Sequence, residues 1–351
     1  MGATYTVAAS REQLSYMAQC RFENVKDVVP LLAEATEPQF ASYQIADAIH
    51  PVEEESVAEK ADPRNYVLDA LHGQAFRHTG LGNSLYVTPD VAHHATVDSV
   101  KKFHDKLFVP QNLSIVGVGG VKHDQLVELA QKLFPASKAS QSSSIPSQYR
   151  GGELIQPVAI DNTYFGIGYQ GIAASHALAP ASYILRFILG EASRAGCEPV
   201  GNGVSGLLAR NVFSDHAALQ HLEASTFSYS DSGLVTVYGV AEAAKDYKYV
   251  SHLGNMLAAV PSALNQQLLQ RGKALAKGHL AFQLTASLPS LAEYLASQAV
   301  ANPTASNFAP SHLSSAIDSV SLEQLQQAAK QIFSSKPTVV AVGAVNGFPS
   351  L

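Results

Sequence analysis

Residues 114–121 read SIVGVGGV, and residues 338–345, close to the other end of the sequence, read TVVAVGAV. Both are short apolar runs that end in glycine, a pattern typical of a buried strand followed by a turn. They are separated by 224 positions. A similar pattern that returns at so large a spacing indicates an internal repeat.

Two further pairs of segments support this repeat. The apolar spacing of residues 97–108 returns in residues 322–333, at an offset of 225, and a polar hairpin turn begins at Ser10 and again at Ser230, at an offset of 220. The alternative is that two unrelated helix–strand units share such short patterns. We predict a duplicated domain in which the first copy lacks about seventy N-terminal residues, so that Met1 lies inside a domain.

One low-complexity stretch separates the two copies. Residues 136–148 read ASKASQSSSIPSQ, a serine-rich composition that cannot build a core and is typical of a surface linker. The predicted organisation is therefore an incomplete first domain at 1–135, a linker at 136–150 and a complete second domain at 151–351. We also expect a hairpin in residues 3–22.

Apolar patterns predict the remaining elements. In the first copy, a helix starting after Pro38 should break at His50-Pro51, and residues 64–78 and 123–134 form helices. In the second copy, we predict a strand at 163–169, a helix at 178–190, a hairpin turn at 230–233, helices through most of 243–334 and a final strand at 338–345.

The composition limits the classes of function. Hydrophobic residues make up 46% of the 351 residues and charged residues 15%, with a net charge of −6, so a sizeable core can form and no basic surface is available for nucleic acid. No apolar run reaches the roughly 18 to 20 residues that span a bilayer. Cys20 and Cys197 lie far apart without metal-ligand spacing, so we expect a reducing compartment and no disulfide framework.

The glycine-rich segments do not predict a nucleotide site. Gly201, Gly203 and Gly206 spell GxGxxG, but they follow a helix and a proline-containing loop, whereas dinucleotide binding needs a strand before the glycines and a helix after them. Gly117 and Gly119 end a strand pattern but lead to no Lys-Ser or Lys-Thr pair. We expect a surface loop in the first case and strand-end packing in the second.

The histidines and acidic residues also lack the spacing of a catalytic centre. The sequence contains thirteen histidines but no HExxH or HxxEH motif. His93 and His94 are neighbours that point in different directions on a helix, and His216 and His221 are five residues apart, off one helical face. The acidic run at 53–55 is typical of a solvated helix face. With no GxSxG motif and no catalytic cysteine context, we predict no catalytic, cofactor-binding or metal-binding residue.

Four segments resemble the pitrilysin-like family. They are SREQ at 10–13, IVGVGGVKHDQL at 115–126, YRGGE at 149–153 and FSYSDSGL at 227–234. The family includes mitochondrial processing peptidases and the non-catalytic core subunits of the cytochrome b-c1 complex, and the resemblance covers the whole sequence. It implies an α/β (α+β) fold of two homologous domains, each a mainly antiparallel sheet packed by helices.

The resemblance also implies where the chemistry of the active relatives would lie. Those relatives hold zinc with a helical His-x-x-Glu-His and a glutamate roughly seventy-five residues later, and Glu55 falls at the position of that glutamate. One carboxylate cannot hold a catalytic zinc, so we expect a non-catalytic chain without a cofactor. The resemblance further implies core protein 1, cytochrome b and cytochrome c1 as partners, in a dimeric complex on the matrix side of the mitochondrial inner membrane. A presequence-binding subunit of the processing peptidase is the alternative.

Overall fold

The structure is a computed structural model that describes residues 2–134, 146–194, 206–243, 247–301 and 310–349. The helices of these ranges are α1 (Val25–Ala35), α2 (Ser42–Ala61), α3 (Pro63–Ala75), α4 (Pro89–His93), α5 (Val97–Leu107), α6 (His123–Leu133), α7 (Ala179–Leu189), α8 (Leu207–Asn211), α9 (Lys248–Ala263), α10 (Gln266–Thr285), α11 (Leu288–Ala301), α12 (Pro310–Ser319) and α13 (Leu322–Phe333). The strands are β1 (Thr4–Ala9), β2 (Leu14–Gln19), β3 (Glu153–Pro157), β4 (Asn162–Gln170), β5 (Glu191–Ser193), β6 (Leu219–Ser228), β7 (Gly233–Glu242) and β8 (Thr338–Gly343).

The chain packs into two compact units, and neither is continuous in sequence. The first unit comprises residues 1–58, 85–144 and 281–309. The second unit comprises residues 59–84, 145–280 and 310–351. Each half of the chain therefore contributes one segment to the unit of the other half. Residues 59–84 belong to the second unit, and residues 281–309, helical over most of their described part, belong to the first. The predicted domain limits concern the repeat, not this packing, and they stay a prediction.

The second unit is built on a six-stranded sheet. Its strand order is β3-β8-β4-β7-β6-β5, and every pair is antiparallel except β3–β8. Successive residues of a strand point to opposite faces, so Gly166 of β4 lies under Val67 and Leu71 of α3, whereas Phe165 meets Tyr249 of α9 on the other face. Both faces of the central strands are thus covered by helices.

Glycine allows α3 to approach the sheet closely. A Cβ atom at Gly166 would lie 2.5 Å from Cδ1 of Leu71 and 2.9 Å from Cγ1 of Val67. These two side chains are fully buried, and the helix begins at an N-cap, Asp62, whose side chain accepts the Arg64 N–H at 2.8 Å. The Asp62 cap therefore fixes where α3 begins, and Gly166 allows α3 to lie close to the sheet.

The described part of the first unit has a two-stranded sheet and few buried apolar side chains. Strands β1 and β2 pair with each other, Thr4 opposite Gln19 and Ala9 opposite Leu14, and all six residues of β1 are exposed. Among the described residues, the buried apolar side chains of the first unit are Val28, Ala33, Ala92 and Val109, and all the others belong to the second unit.

The structure supports the internal repeat at the level of individual hydrogen bonds. Thr96 and Ser99 form a capping box at the start of α5, and Ser321 and Gln324 form one at the start of α13, at an offset of 225. Helix α2 likewise corresponds to α10 at an offset of 224. Capping boxes at corresponding positions therefore begin corresponding helices in both copies.

The backbone repeats at the glycines as well. Gly119 has φ +108° and Gly343 has φ +112°, at the offset of 224 that the sequence indicates. The hairpin turns correspond at an offset of 219, because the four-residue loops are 10–13 and 229–232. The second hairpin thus turns one residue earlier than predicted.

Two predicted features are wrong. Residues 113–118 form no strand in the structure, although their counterpart β8 lies between β3 and β4. A strand needs a paired neighbour, and β1 and β2 pair only with each other within the described chain. The helix predicted to break at His50-Pro51 also continues, since α2 passes through Pro51. The other predicted helices, both hairpins and the strands at 163–169 and 338–345 are confirmed.

Candidate functional site

The sequence-based candidates do not meet in one place. Glu55 is exposed on α2, next to Ser56, whose hydroxyl donates to the Val87 carbonyl at 2.7 Å. Glu54 is also exposed, 3.7 Å from His50 one helical turn before it. Glu53 differs, because its carboxylate is largely covered and lies 3.1 Å from His93 Nε2. The solvated face predicted for 53–55 therefore holds for two of the three residues.

The paired histidines point to separate partners. His93 faces Glu53, whereas His94 Nδ1 lies 2.5 Å from the Asp90 carbonyl on its own helix. His216 Nε2 lies 3.0 Å from His252 Nδ1, and His221 belongs to a different cluster, described below. Among the described residues, no group of three or more histidine, cysteine, aspartate or glutamate side chains is arranged to hold a metal ion.

The glycine loop and the cysteines contribute little further geometry. Gly201, Gly203 and Cys197 lie outside the described residues. Gly206 precedes the five-residue helix α8. Cys20 is a free, half-buried thiol at the end of β2.

The main polar cluster was missed by sequence reasoning. Arg64 of α3 forms a two-pronged ion pair with Glu223 of β6, with Nη2 to Oε1 at 2.7 Å and Nε to Oε2 at 3.1 Å. Ser225 Oγ donates to Glu223 Oε1 at 2.9 Å. His221 Nε2 lies 3.7 Å from Glu223 and 4.0 Å from Glu191. The partners are separated by 159 residues in the chain, a distance at which no local pattern pairs them.

The Glu223 carboxylate of this cluster is an anion at neutral pH. Burial opposes the charged form of Glu223, but the nearby His221 and the hydrogen bonds from Arg64 outweigh it and lower the pKa of this carboxyl well below its usual range. The same hydrogen bond to Glu223 raises the pKa of Arg64. Because both carboxylate oxygens are occupied and no proton is held at neutral pH, Glu223 is unsuited to general acid catalysis. The cluster fastens α3 to the sheet.

The first unit carries most of the exposed apolar surface. Among the described residues, the exposed large hydrophobic side chains of the second unit are Ile155, Val158 and Ile160, and all others lie in the first unit. Tyr43 is 66% exposed on α2 and Phe103 is 61% exposed on α5. So much uncovered apolar surface is typical of a protein that contacts other subunits. Within the described residues, no helix is long and apolar enough to cross a membrane.

Comparisons with known proteins point to one family. A model described as "Peptidase M16 inactive domain" matches residues 94–274, and one described as "Insulinase (Peptidase family M16)" matches residues 1–89. The chain is 29% identical over 355 residues to mitochondrial-processing peptidase subunit alpha-2 of Dictyostelium discoideum, covering 100% of this chain and 77% of that protein. It is 26% identical over 357 residues to cytochrome b-c1 complex subunit 2 of Rattus norvegicus, covering 100% of this chain and 76% of that protein.

A further relative and a solved structure agree with these matches. The chain is 25% identical to the human cytochrome b-c1 complex subunit 2, over 99% of this chain and 76% of that protein. A chain of the structure described as "Complex III2 from Candida albicans, Inz-5 bound" superposes with a TM-score of 0.88 at 16% identity, over 99% of this chain and 84% of that chain. At this identity the superposition establishes the fold.

Proposed function

Because the chain belongs to peptidase family M16, and its longest family match is to the inactive domain, we propose that it is a non-catalytic core subunit of respiratory complex III. In this role it supports the assembly and stability of the complex and thereby electron transport. The observation that carries the proposal is the match to cytochrome b-c1 complex subunit 2 over essentially the whole chain in several organisms.

The chemistry of the described residues is in keeping with a structural role. Glu55, the one residue that the family resemblance places at a zinc ligand position, is exposed, and no metal-holding group forms in the part of the chain described. The surroundings of Glu223 lower the pKa of its carboxyl well below the usual range, and both of its carboxylate oxygens accept hydrogen bonds from Arg64. We therefore propose that the chain does not hydrolyse peptides and holds no zinc.

The partners follow from the same proposal. Core protein 1, cytochrome b and cytochrome c1 are the expected neighbours, in a dimeric complex peripheral to the mitochondrial inner membrane on its matrix side. The exposed apolar side chains of the first unit supply surface for such permanent contacts, since obligate interfaces are more apolar than the rest of a protein surface. A net charge of −6 gives no electrostatic reason to expect nucleic acid.

A second function is supported by one specific observation. The Dictyostelium processing-peptidase subunit is 29% identical to this chain, over the full length of this chain. This match favours an α-like subunit that binds presequences beside a catalytic partner. The two functions predict different assemblies. One assembly contains haem, and the other is a heterodimer with peptidase activity.

Co-purification distinguishes the two functions. The full chain, tagged and expressed in its own cells, is isolated from detergent-solubilised mitochondria and separated on a blue-native gel. We expect it to migrate with haem b and haem c1 absorbance and to contain much less than one zinc per chain. Recovery only at the mass of a peptidase heterodimer, with presequence cleavage and no haem, would contradict the proposal. Glu55→Gln serves as a matched variant, and we expect it to leave the yield of haem-bearing complex unchanged.

A further inference from the structure

Helices α7 and α10 carry charged side chains of one sign only. The residues charged at neutral pH are Arg186 of α7 and Arg271, Lys273 and Lys277 of α10, and neither helix contains an aspartate or a glutamate. All four belong to the second unit. Since the whole chain has a net charge of −6, these helices are a local exception, and a cationic surface attracts anions.

The two lysines of α10 already have acceptors. Lys277 Nζ lies 2.7 Å from Asp318 Oδ1, and Lys273 Nζ donates to the Asp318 backbone carbonyl at 2.7 Å. Asp318 is at the end of α12. This one residue therefore compensates both lysines.

Arg186 has no such counter-charge in the part of the chain that the structure describes. Its guanidinium carbon lies 5.4 Å from the centroid of the Phe187 ring, and among the described residues it forms no hydrogen bond or ion pair. The side chain is half-buried, so part of its hydration is lost without an acceptor in return. Its N–H groups form a planar fork that matches an oxyanion.

His279 of α10 borders the same ring. Its imidazole is 5.3 Å from the Phe187 ring, and its Nδ1 lies 3.3 Å from the Tyr183 hydroxyl of α7. Among the described residues, Tyr183 and Arg186 are the titratable groups that interact with this imidazole. Burial and the positive charge of Arg186 both lower the pKa of His279. The imidazole is therefore uncharged at neutral pH.

A close helix contact holds these groups together. A Cβ atom at Gly272 of α10 would lie 2.7 Å from Ile188 Cγ1 and 2.8 Å from Ile184 Cγ2 of α7, and both isoleucines are buried. Glycine thus lets the two helices approach each other within the second unit. Arg186 and His279 are placed by packed helices, not by a loop.

The charge of this site selects among possible anions. When Nδ1 of the neutral imidazole accepts from the Tyr183 hydroxyl, the ring proton of His279 is on Nε2, which is then a donor. The site carries one positive charge, that of Arg186. A carboxylate has one negative charge and neutralises it, whereas a phosphate group carries nearly two and would leave an excess. The charge balance therefore favours a carboxylate.

We propose that Arg186 and His279 bind a single carboxylate group beside the Phe187 ring. Arg186 supplies the positive charge and paired N–H donors, and His279 supplies one further N–H donor. The carboxylate comes from outside the chain, as an acidic side chain of another polypeptide or as a small free acid. This inference does not depend on the function proposed above, because it concerns the chain by itself.

Acetyl-glutamate-amide is the direct probe, and acetyl-glutamine-amide is its uncharged counterpart of the same shape. The full chain, labelled with ¹⁵N in histidine, is titrated with each compound at neutral pH while imidazole NMR signals are recorded. The His279 signal is assigned by its loss in His279→Gln. We expect a saturable shift of this signal with the glutamate compound, in the millimolar range of a single half-exposed charge pair. No saturable shift, or an equal shift with the glutamine compound, would overturn the proposal.

Two arginine variants form a matched pair. Arg186→Gln removes the proposed counter-charge, whereas Arg77→Gln removes an exposed arginine of the same unit, in the loop after α3. We expect Arg186→Gln to weaken binding of the glutamate compound about tenfold, the effect of losing a pair of charge-assisted hydrogen bonds. Arg77→Gln should leave binding within about twofold. Equal effects of the two variants would count against the site.

Thermal unfolding without added carboxylate tests whether the site is already filled. Because Arg186 has no ion pair to lose among the described residues, Arg186→Gln should melt within a few degrees of the native chain. A loss as large as that of Glu223→Gln would show that a carboxylate of this chain occupies the site, and would overturn the proposal.

Two further probes examine the chemistry and the source of the ligand. Inorganic phosphate that binds more tightly than the glutamate compound would contradict the choice of a carboxylate. Acetate represents a small free acid. Acetate binding weaker than that of the glutamate compound would assign the site to an acidic side chain of another polypeptide, and equal binding would assign it to a free acid; both results support a carboxylate site.

Discussion

The ion pair between Arg64 and Glu223 predicts a specific loss of stability at neutral pH. Glu223→Gln keeps the shape of the side chain but removes the charge that meets Arg64 at 2.7 and 3.1 Å. The Glu223 side chain is 15% exposed and that of Arg64 is 43% exposed, so solvent screens the pair on the arginine side. Removing one partner of a fully buried pair costs about 3–5 kcal/mol, and we expect about 1–3 kcal/mol here because of this screening.

The pH dependence follows from the direction of the pKa shift. The hydrogen bonds from Arg64 and the nearby His221 outweigh the effect of burial and hold the pKa of Glu223 below its usual 4.5 in the folded protein, so the folded state binds fewer protons than the unfolded state. The stability contributed by the carboxylate is therefore fully present above about pH 4.5 and is lost as the pH falls through the lower, folded-state pKa. The difference in the free energy of unfolding between the native protein and Glu223→Gln should therefore shrink as the pH falls below about 4.5.

Urea unfolding followed by circular dichroism measures this difference. Midpoints and slopes are compared for both proteins between pH 7 and pH 3. Glu128→Gln, which changes an exposed carboxylate of α6, is the control for net charge and should alter stability by less than about 0.5 kcal/mol. A double-mutant cycle with Arg64→Met isolates the pair. Additive effects, or a loss from Glu223→Gln that is as large at pH 3 as at pH 7, would refute the reasoning.

Three further predictions concern the repeat and the sheet. Gly343→Ala should destabilise by several kcal/mol because its Cβ would clash with a carbonyl at 2.2 Å, whereas Gly119→Ala at nearly the same φ meets nothing nearer than 3.9 Å and should cost only about 1 kcal/mol in thermal unfolding. Thr96→Ala and Ser321→Ala each remove a capping box and should each cost about 1 kcal/mol, measured by chemical denaturation. Burial raises the pKa of Tyr149 to about 12. The cost of Tyr149→Phe should therefore be constant below pH 10 and fall between pH 10 and 12 in alkaline unfolding curves.

Local signals in the sequence were sufficient for most elements. The polar run at 10–13 predicts the first hairpin turn because β-hairpins need a polar, flexible connection. The helix starts were also predictable, since Ser321 followed by Gln324 is a capping box. The offset between 114–121 and 338–345 predicts the duplication from the sequence alone, and Gly119 and Gly343 have closely similar positive φ angles.

Features that depend on distant partners were not predictable. The segment 113–118 has the composition of a strand, but its hydrogen bonds need a neighbour that pattern analysis cannot supply. Arg64 and Glu223 each look like ordinary surface charges in their own segments, and only the packing of α3 on the sheet, over β4, β7 and β8, brings them together. The assignment of residues 59–84 to the second unit could not be predicted either, because the apolar face of a helix does not show which sheet the helix packs against.

The two copies show how much of a shared pattern depends on one strand. In the second unit β4 lies between β7 and β8, both faces of the sheet are covered, and Ile167 and Val340 are fully buried. In the first unit the counterparts of β7 and β8 have no strand between them in the described chain, and Ile115 is 40% exposed. Covering apolar area stabilises by about 25 cal/mol per Å², so β4 stabilises the sheet of the second unit in a way that nothing in the described part of the first unit matches.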